Sequence, residues 1–262
     1  MKGIYVMNKT LNGKIIVNFG DSIFGNFRAP ADISTFISEQ TGAKVYNVGF
    51  GGCRMSAHPH PHFDKFCMYR LTDAVISRDF SMQDDAVKAE KIGEGLPDYF
   101  ADSLELLKGI DFSKVDIITI AYGTNDFMGE QMPDSEDKYD TNSFGGAMRY
   151  SVEKLMKAFP DIHIVICSQI YRYWEGTDGI ENEDSDTYID ERGHSLHTFV
   201  DKTKEIADKY GLFYIDNYNG SGINKDTRHL CFDGIDTCHP IEYGRRLVAN
   251  NISKELINRF GE

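Results

Sequence analysis

The chain has no C-x-x-C pair, no proline- or serine-rich linker, no internal repeat and no apolar run of membrane-spanning length. Each absence excludes something. Its five cysteines, Cys53, Cys67, Cys167, Cys231 and Cys238, are odd in number and unclustered. That argues against a disulfide framework and for a reducing compartment. No apolar segment of signal-peptide length precedes the stretch Asn8–Lys14, so a cytoplasmic location is expected. Membrane insertion is excluded as a reading by the short apolar runs. Without linker or repeat, residues 1–262 read as one domain. Positive charge is also scarce, with 28 Lys and Arg against 41 Asp and Glu and a formal net charge of −13. Such a surface disfavours nucleic acid and anionic membrane as partners.

What the chain does have is a repeated alternation. Hydrophobic residues make up 41% of it, enough for a sizeable core. Short Val- and Ile-rich runs at 14–19, 43–49, 115–123, 162–170 and 212–216 read as strands covered on both faces. Helical patterns separate them at 30–41, 96–108, 144–158, 190–210 and 241–259. Pro30 and Gly42 suit the start and stop of the first, and Gly211 the end of the fourth. Strand and helix in alternation imply a three-layer α/β/α sandwich around a mostly parallel five-stranded sheet. Residues 52–95, 129–143 and 172–189 fall outside the alternation and read as insertions forming walls or lids.

Ligands of such sheets bind beyond the carboxyl ends of the strands, and the residues found there are small, polar or titratable. Gly20-Asp21-Ser22 follows the first strand, "NVGFGGCR" the second, Gly123-Thr124-Asn125-Asp126 the third, and "DGIDTCHP" precedes the last helix. A serine hydroxyl needs a base to become a nucleophile. His239 can supply it, with Asp236 three residues earlier to fix the imidazole tautomer. The oxyanion of acyl transfer needs donors, for which the Ser22 N–H, the Gly52 N–H and the Asn125 amide are candidates. Gly51 could replace Gly52, and Asp233 could compete with Asp236.

At these residues the chain resembles the GDSL, or SGNH, family of serine hydrolases. Gly20-Asp21-Ser22-Ile23 stands for that family's Gly-Asp-Ser-Leu block, with Ile for Leu. "NVGFGG" resembles its glycine block, Gly123-Thr124-Asn125-Asp126 its Gly-x-Asn-Asp block, and Asp236-Thr237-Cys238-His239 its Asp-x-x-His block. The resemblance implies a flavodoxin-like fold and assigns Ser22 as nucleophile and first oxyanion donor. Gly52 and Asn125 would be the other donors, and His239 with Asp236 the base and its orienter. No cofactor or metal is implied. No G-x-S-x-G elbow surrounds Ser22, which separates it from the α/β-hydrolase class.

The family covers lipases, lysophospholipases, thioesterases and carbohydrate acetylesterases. A small acyl group, such as acetyl on a carbohydrate, is the expected substrate, because no long apolar lid is evident. Asp21, Arg54, Tyr173 and Trp174 are the candidate substrate contacts. A non-hydrolytic glycan-binding module is the alternative from another class, and four intact blocks speak against it. The His58-His60-His62 repeat reads as a solvated or pocket-lining loop rather than a zinc site, since matching ligands are missing. Cys238 reads as a small loop residue, and the acidic loop 130–140 as a solvated edge that disfavours anionic substrates. The number of subunits is not legible.

Overall fold

The expected strands form, the first shifted by one residue and the others shorter than their apolar runs. They are β1 (Ile15–Gly20), β2 (Lys44–Asn47), β3 (Ile117–Ala121), β4 (His163–Cys167) and, after the hairpin strands β5 (Tyr173–Trp174) and β6 (Glu183–Asp184), β7 (Phe213–Ile215). The computed structural model describes residues 10–90 and 95–262. The first nine residues, on which the expectation of no leader bears, lie outside the described residues. The main sheet runs β2-β1-β3-β4-β7 with every pair parallel. That order is flavodoxin-like and places a topological switch at β1. Within the sheet, the Thr119 hydroxyl donates to Asn18 Oδ1 at 2.6 Å, and Asn18 Nδ2 donates to Ser34 Oγ at 2.8 Å. Both buried polar residues of the central strands are thereby satisfied.

Helices cover both faces. Ile33–Thr41 packs against Glu242–Phe260 on one; on the other, Phe144–Ala158 lies between Met68–Ser77 and Leu196–Tyr210. Two of the helices that begin later than their sequence patterns suggest owe this to side-chain caps. Asp32 Oδ1 accepts the amides of Ser34 and Thr35, so the first helix starts at Ile33 rather than Pro30. Ser195 and Thr198 form a capping box. The preceding residues instead make a turn in which Asp190 Oδ1 accepts the amides of Arg192 and His194.

Two insertions are more regular than expected. The segment 52–95 contains the helices Pro61–Asp64, Met68–Ser77 and Ser81–Glu90. Met68, Leu71, Thr72 and Val75 of the second are buried at helical spacing. Phe66 and Phe100 meet Phe50 with ring centroids 4.8 and 5.0 Å away, and each other at 4.9 Å. This ring cluster anchors the insertion beneath the glycine block. The segment 172–189 carries the antiparallel pair β5–β6. No helix among the described residues is long and apolar enough to cross a membrane.

Two glycines let the chain cross itself where the site is built. A Cβ on Gly49 would stand 2.7 Å from the Gly25 amide nitrogen, and one on Gly25 would stand 2.7 Å from the Gly49 carbonyl. Backbone meets backbone there, so nothing flexible can yield. Gly49→Ala is expected to cost about 1–3 kcal/mol of unfolding free energy, as overpacking does. A urea denaturation midpoint unchanged from wild type would contradict that.

Candidate active site

Ser22 opens a four-residue helical turn directly after β1. Asp21 caps the turn, its Oδ1 accepting the Ile23 amide at 3.0 Å. The turn aims the Ser22 side chain at the loop before the last helix. There the Ser22 hydroxyl donates to His239 Nε2 at 2.7 Å, and His239 Nδ1 donates to Asp236 Oδ2 at 2.6 Å. The carboxylate beside Nδ1 fixes the tautomer with the proton on that nitrogen, leaving Nε2 to accept.

The contest between the two aspartates has a geometric outcome. Asp236 Oδ1 accepts the amides of Cys238 and His239 at 3.0 and 2.9 Å. Burial pushes its carboxyl upward, but those amides and the imidazole win and hold it below the ordinary carboxylate value. Asp233 instead braces the loop, accepting the amides of Ile235 and Asp236 at 2.8 and 2.7 Å.

The two candidate glycines differ just as plainly. The Gly51 amide donates to the Tyr99 hydroxyl at 2.8 Å, and that hydroxyl donates to Asn26 Oδ1 at 2.8 Å. Gly52, at φ +75°, has no acceptor for its amide among the described residues, and the same holds for the Ser22 amide. Asn125 Nδ2 donates to the Cys53 carbonyl at 2.9 Å, which uses one of its two hydrogens. Next to it, buried Asp126 accepts the amides of Met55 and Ser56, each at 3.0 Å. The Asn-Asp pair thus straps the glycine loop from two sides. Burial raises the Asp126 carboxyl, with those donors opposing.

Ser22, Gly52, Asn125, Asp236 and His239 line one open cavity of about 580 Å³, with Phe63, Pro97 and Met128 as its apolar wall. Arg172, Thr177, Asp178 and Thr237 form a polar wall. The expected substrate contacts fare differently. Tyr173 and Trp174 are buried, with Trp174 fully inaccessible, and neither lines the cavity. Tyr173 packs edge-on to Phe232, and Trp174 packs against Phe127 and Tyr188. Pairing with β6 folds both rings into the interior. Arg54 is buried against Gly129 and lines a different cavity. Asp21 lies beneath the serine turn, also outside the cavity lining. The residue that does reach the site, Arg172, stands between the aromatics in the Tyr-Arg-Tyr-Trp run.

The histidine repeat is occupied with local structure. His58 Nδ1 accepts the His60 amide at 2.9 Å, and His60 Nδ1 accepts the His62 amide at 3.3 Å as the cap of Pro61–Asp64. Among the described residues no group of three or more His, Cys, Asp or Glu could hold a metal ion. Cys238 lines the cavity, but burial pushes its thiol up to about 11, so it stays protonated near neutral pH. The acidic residues Glu130, Asp134 and Asp140 line the Arg54 cavity instead of this one.

No curated protein matches the chain. Among solved structures, one crystal structure superposes with a TM-score of 0.70 at 21% identity, covering 96% of this chain and 99% of the other. A protein described as a GDSL-like lipase from Parabacteroides merdae follows with a TM-score of 0.55 at 15% identity, covering 95% and 97%. A variant of an acetyl-xylooligosaccharide esterase from Geobacillus stearmophilus superposes with a TM-score of 0.51 at 14% identity, covering 95% and 96%. These likenesses concern the fold. The profile of the GDSL-like Lipase/Acylhydrolase family matches residues 16–252, and the chain belongs to that family.

Proposed function

We propose that the protein is a serine esterase that cleaves a short-chain ester through an acyl-Ser22 intermediate. The observation that carries this reading is the unbroken relay Ser22–His239–Asp236, with hydrogen bonds of 2.7 and 2.6 Å. Neutral His239 takes the serine proton as Oγ attacks the carbonyl carbon. The oxyanion gathers the free amides of Ser22 and Gly52 and the second hydrogen of Asn125 Nδ2. Collapse of the tetrahedral adduct expels the alcohol, which takes the proton back from His239. Water, activated by the same imidazole, then releases the acid.

The apolar wall of Phe63, Pro97 and Met128 is short, which favours a small acyl group such as acetyl over a fatty chain. The polar wall, rather than the buried aromatics, is what favours a hydroxylated or carbohydrate alcohol. Five free cysteines favour a reducing, cytoplasmic setting.

A fluorophosphonate probe followed by peptide mapping tests the nucleophile, with the adduct expected on Ser22. p-Nitrophenyl acetate, assayed with a chelator present, is expected to turn over faster than the octanoate. An adduct elsewhere would overturn the mechanism, and no turnover of any ester would favour a glycan-binding role. Asn125→Ala is expected to lower kcat by about 100- to 1,000-fold with little change in KM, the usual cost of one lost oxyanion donor. Equal losses in kcat and 1/KM would instead mark a collapse of the glycine loop that Asn125 ties down.

A further inference from the structure

We propose that the alcohol half of the substrate carries an anionic group, a carboxylate, and that Arg172 selects it; the proposal rests on the esterase reading above. The sidedness of the cavity comes first. In acyl transfer the leaving alcohol is protonated by the imidazole and so departs on the His239 side. Phe63 stands against Gly52, and Met128 shares the short helix of Asn125, so the apolar wall goes with the oxyanion donors and suits the acyl half. The hairpin of β5 and β6 belongs to the other. The Tyr173 amide donates to the Thr237 carbonyl at 3.4 Å, and the Thr177 and Thr237 hydroxyls stand 3.3 Å apart. Arg172 therefore enters the cavity beside the loop that carries Asp236 and His239.

Its donors are underused. Arg172 is 5% exposed, and its guanidinium is stacked on the buried Trp174 ring, 4.6 Å from the centroid. The ring fixes the plane of the group. A guanidinium offers five N–H donors. Among the described residues only Asp178 accepts from this one, through NH2 at 3.1 Å, while the buried Nε has no acceptor at all. Leaving a buried charged donor unpaired is costly, so the arrangement suits a ligand that completes the fork. Among the described residues lining the cavity, Arg172 alone carries a permanent positive charge. A planar carboxylate matches that fork in two parallel bonds.

Asp178 holds the place of such a ligand. Its side chain is half exposed, and it sits on the hairpin tip at φ +55°, a conformation sparsely used outside glycine. An exposed aspartate is a weak partner for a buried arginine, and a substrate carboxylate arriving from the cavity can displace it. Asp236, the other carboxylate of the lining, is committed to His239 and two amides and does not compete.

The test compares kcat/KM for 4-acetoxybenzoate and its neutral counterpart 4-acetoxybenzamide, together with the two 3-isomers. Wild type is expected to favour the better carboxylate isomer over its amide by about ten- to a hundredfold, the range of a hydrogen bond to a charged group. In Arg172→Gln the ratio is expected to fall to near one. In Asp178→Asn, which frees the guanidinium without removing it, the ratio is expected to rise severalfold. The ratio cancels any general damage to folding or chemistry. Turnover of the amides with no carboxylate preference in wild type would overturn the proposal and leave the esterase reading standing. So would an unchanged ratio in Arg172→Gln, or a ratio in Asp178→Asn no higher than wild type. Failure to turn over any of the four esters, or p-nitrophenyl acetate, would remove the esterase reading and this proposal with it.

Discussion

Ser22→Ala is expected to lower kcat for p-nitrophenyl acetate by roughly ten thousand- to a millionfold, the range seen when a triad serine is removed. The size follows from the relay. Without Oγ no acyl-enzyme forms, and only the oxyanion donors and binding remain to assist water. Among the described residues the hydroxyl's one hydrogen-bond partner is His239, and the rest of the local structure does not depend on it. The cap of the serine turn is Asp21, the partner of His239 Nδ1 is Asp236, and the glycine crossing beneath involves backbone alone. Unfolding free energy should therefore shift by only about 1 kcal/mol, the net worth of the single hydrogen bond to His239 that is lost. A catalytic loss with so small a stability loss separates a nucleophile from a turn residue. Equal turnover by the two proteins would return Ser22 to the latter.

The reach of the sequence differs between the centre of the site and its rim. Ser22, Gly52 and Asn125 were legible because each follows a strand end, and strand ends in a parallel sheet converge; Asp236 and His239 were legible from the loop that precedes the last helix. Their chemistry is local as well: Asp236 reaches His239 across three residues, a spacing visible in the letters. The difference between Gly51 and Gly52 was not legible, since it depends on Tyr99, which comes 48 positions later to occupy the Gly51 amide. The rim failed for a related reason. Tyr173 and Trp174 look like sugar-stacking residues until β6 pairs with them and folds both rings inward. The same pairing delivers Arg172, a residue whose composition-based reading in an acidic chain was unremarked. Net charge describes the whole surface, whereas the cavity answers to one buried guanidinium. The segment 52–95 did carry a local signal, the helical spacing of Met68, Leu71, Thr72 and Val75; what no window of sequence contains is the partner that helix packs against, Phe144–Ala158.

Asp21→Asn is expected to stabilise the protein above neutral pH, by on the order of 4 kcal/mol, and to leave it unchanged near pH 4. Asp21 is 2% exposed, and burial raises its carboxyl from the ordinary 3.8 to about 7, with the Asp126 charge adding to the rise and the Ile23 amide and Arg172 opposing it. The folded protein thus holds a proton on Asp21 between about pH 4 and 7 that the unfolded chain has already released. Stability falls as pH rises through that window, because unfolding releases the proton. Each pH unit is worth about 1.4 kcal/mol. Below pH 4 both states are protonated and the penalty vanishes; above pH 7 it is complete. Asparagine keeps the acceptor for the Ile23 amide and never ionises, so the penalty disappears with the substitution. Urea denaturation of both proteins at pH 4 and pH 8 measures this directly, and a variant less stable than wild type at pH 8 would mean that donors outweigh burial at Asp21. Activity decides what the carboxylate is for. Its charge reaches the thiol of Cys238, which lines the cavity beside His239, so activity can respond to it. A variant more stable yet slower would identify Asp21 as a cost in stability carried for catalysis. A variant more stable and equally fast would show that the carboxylate only caps the serine turn, where an amide serves as well.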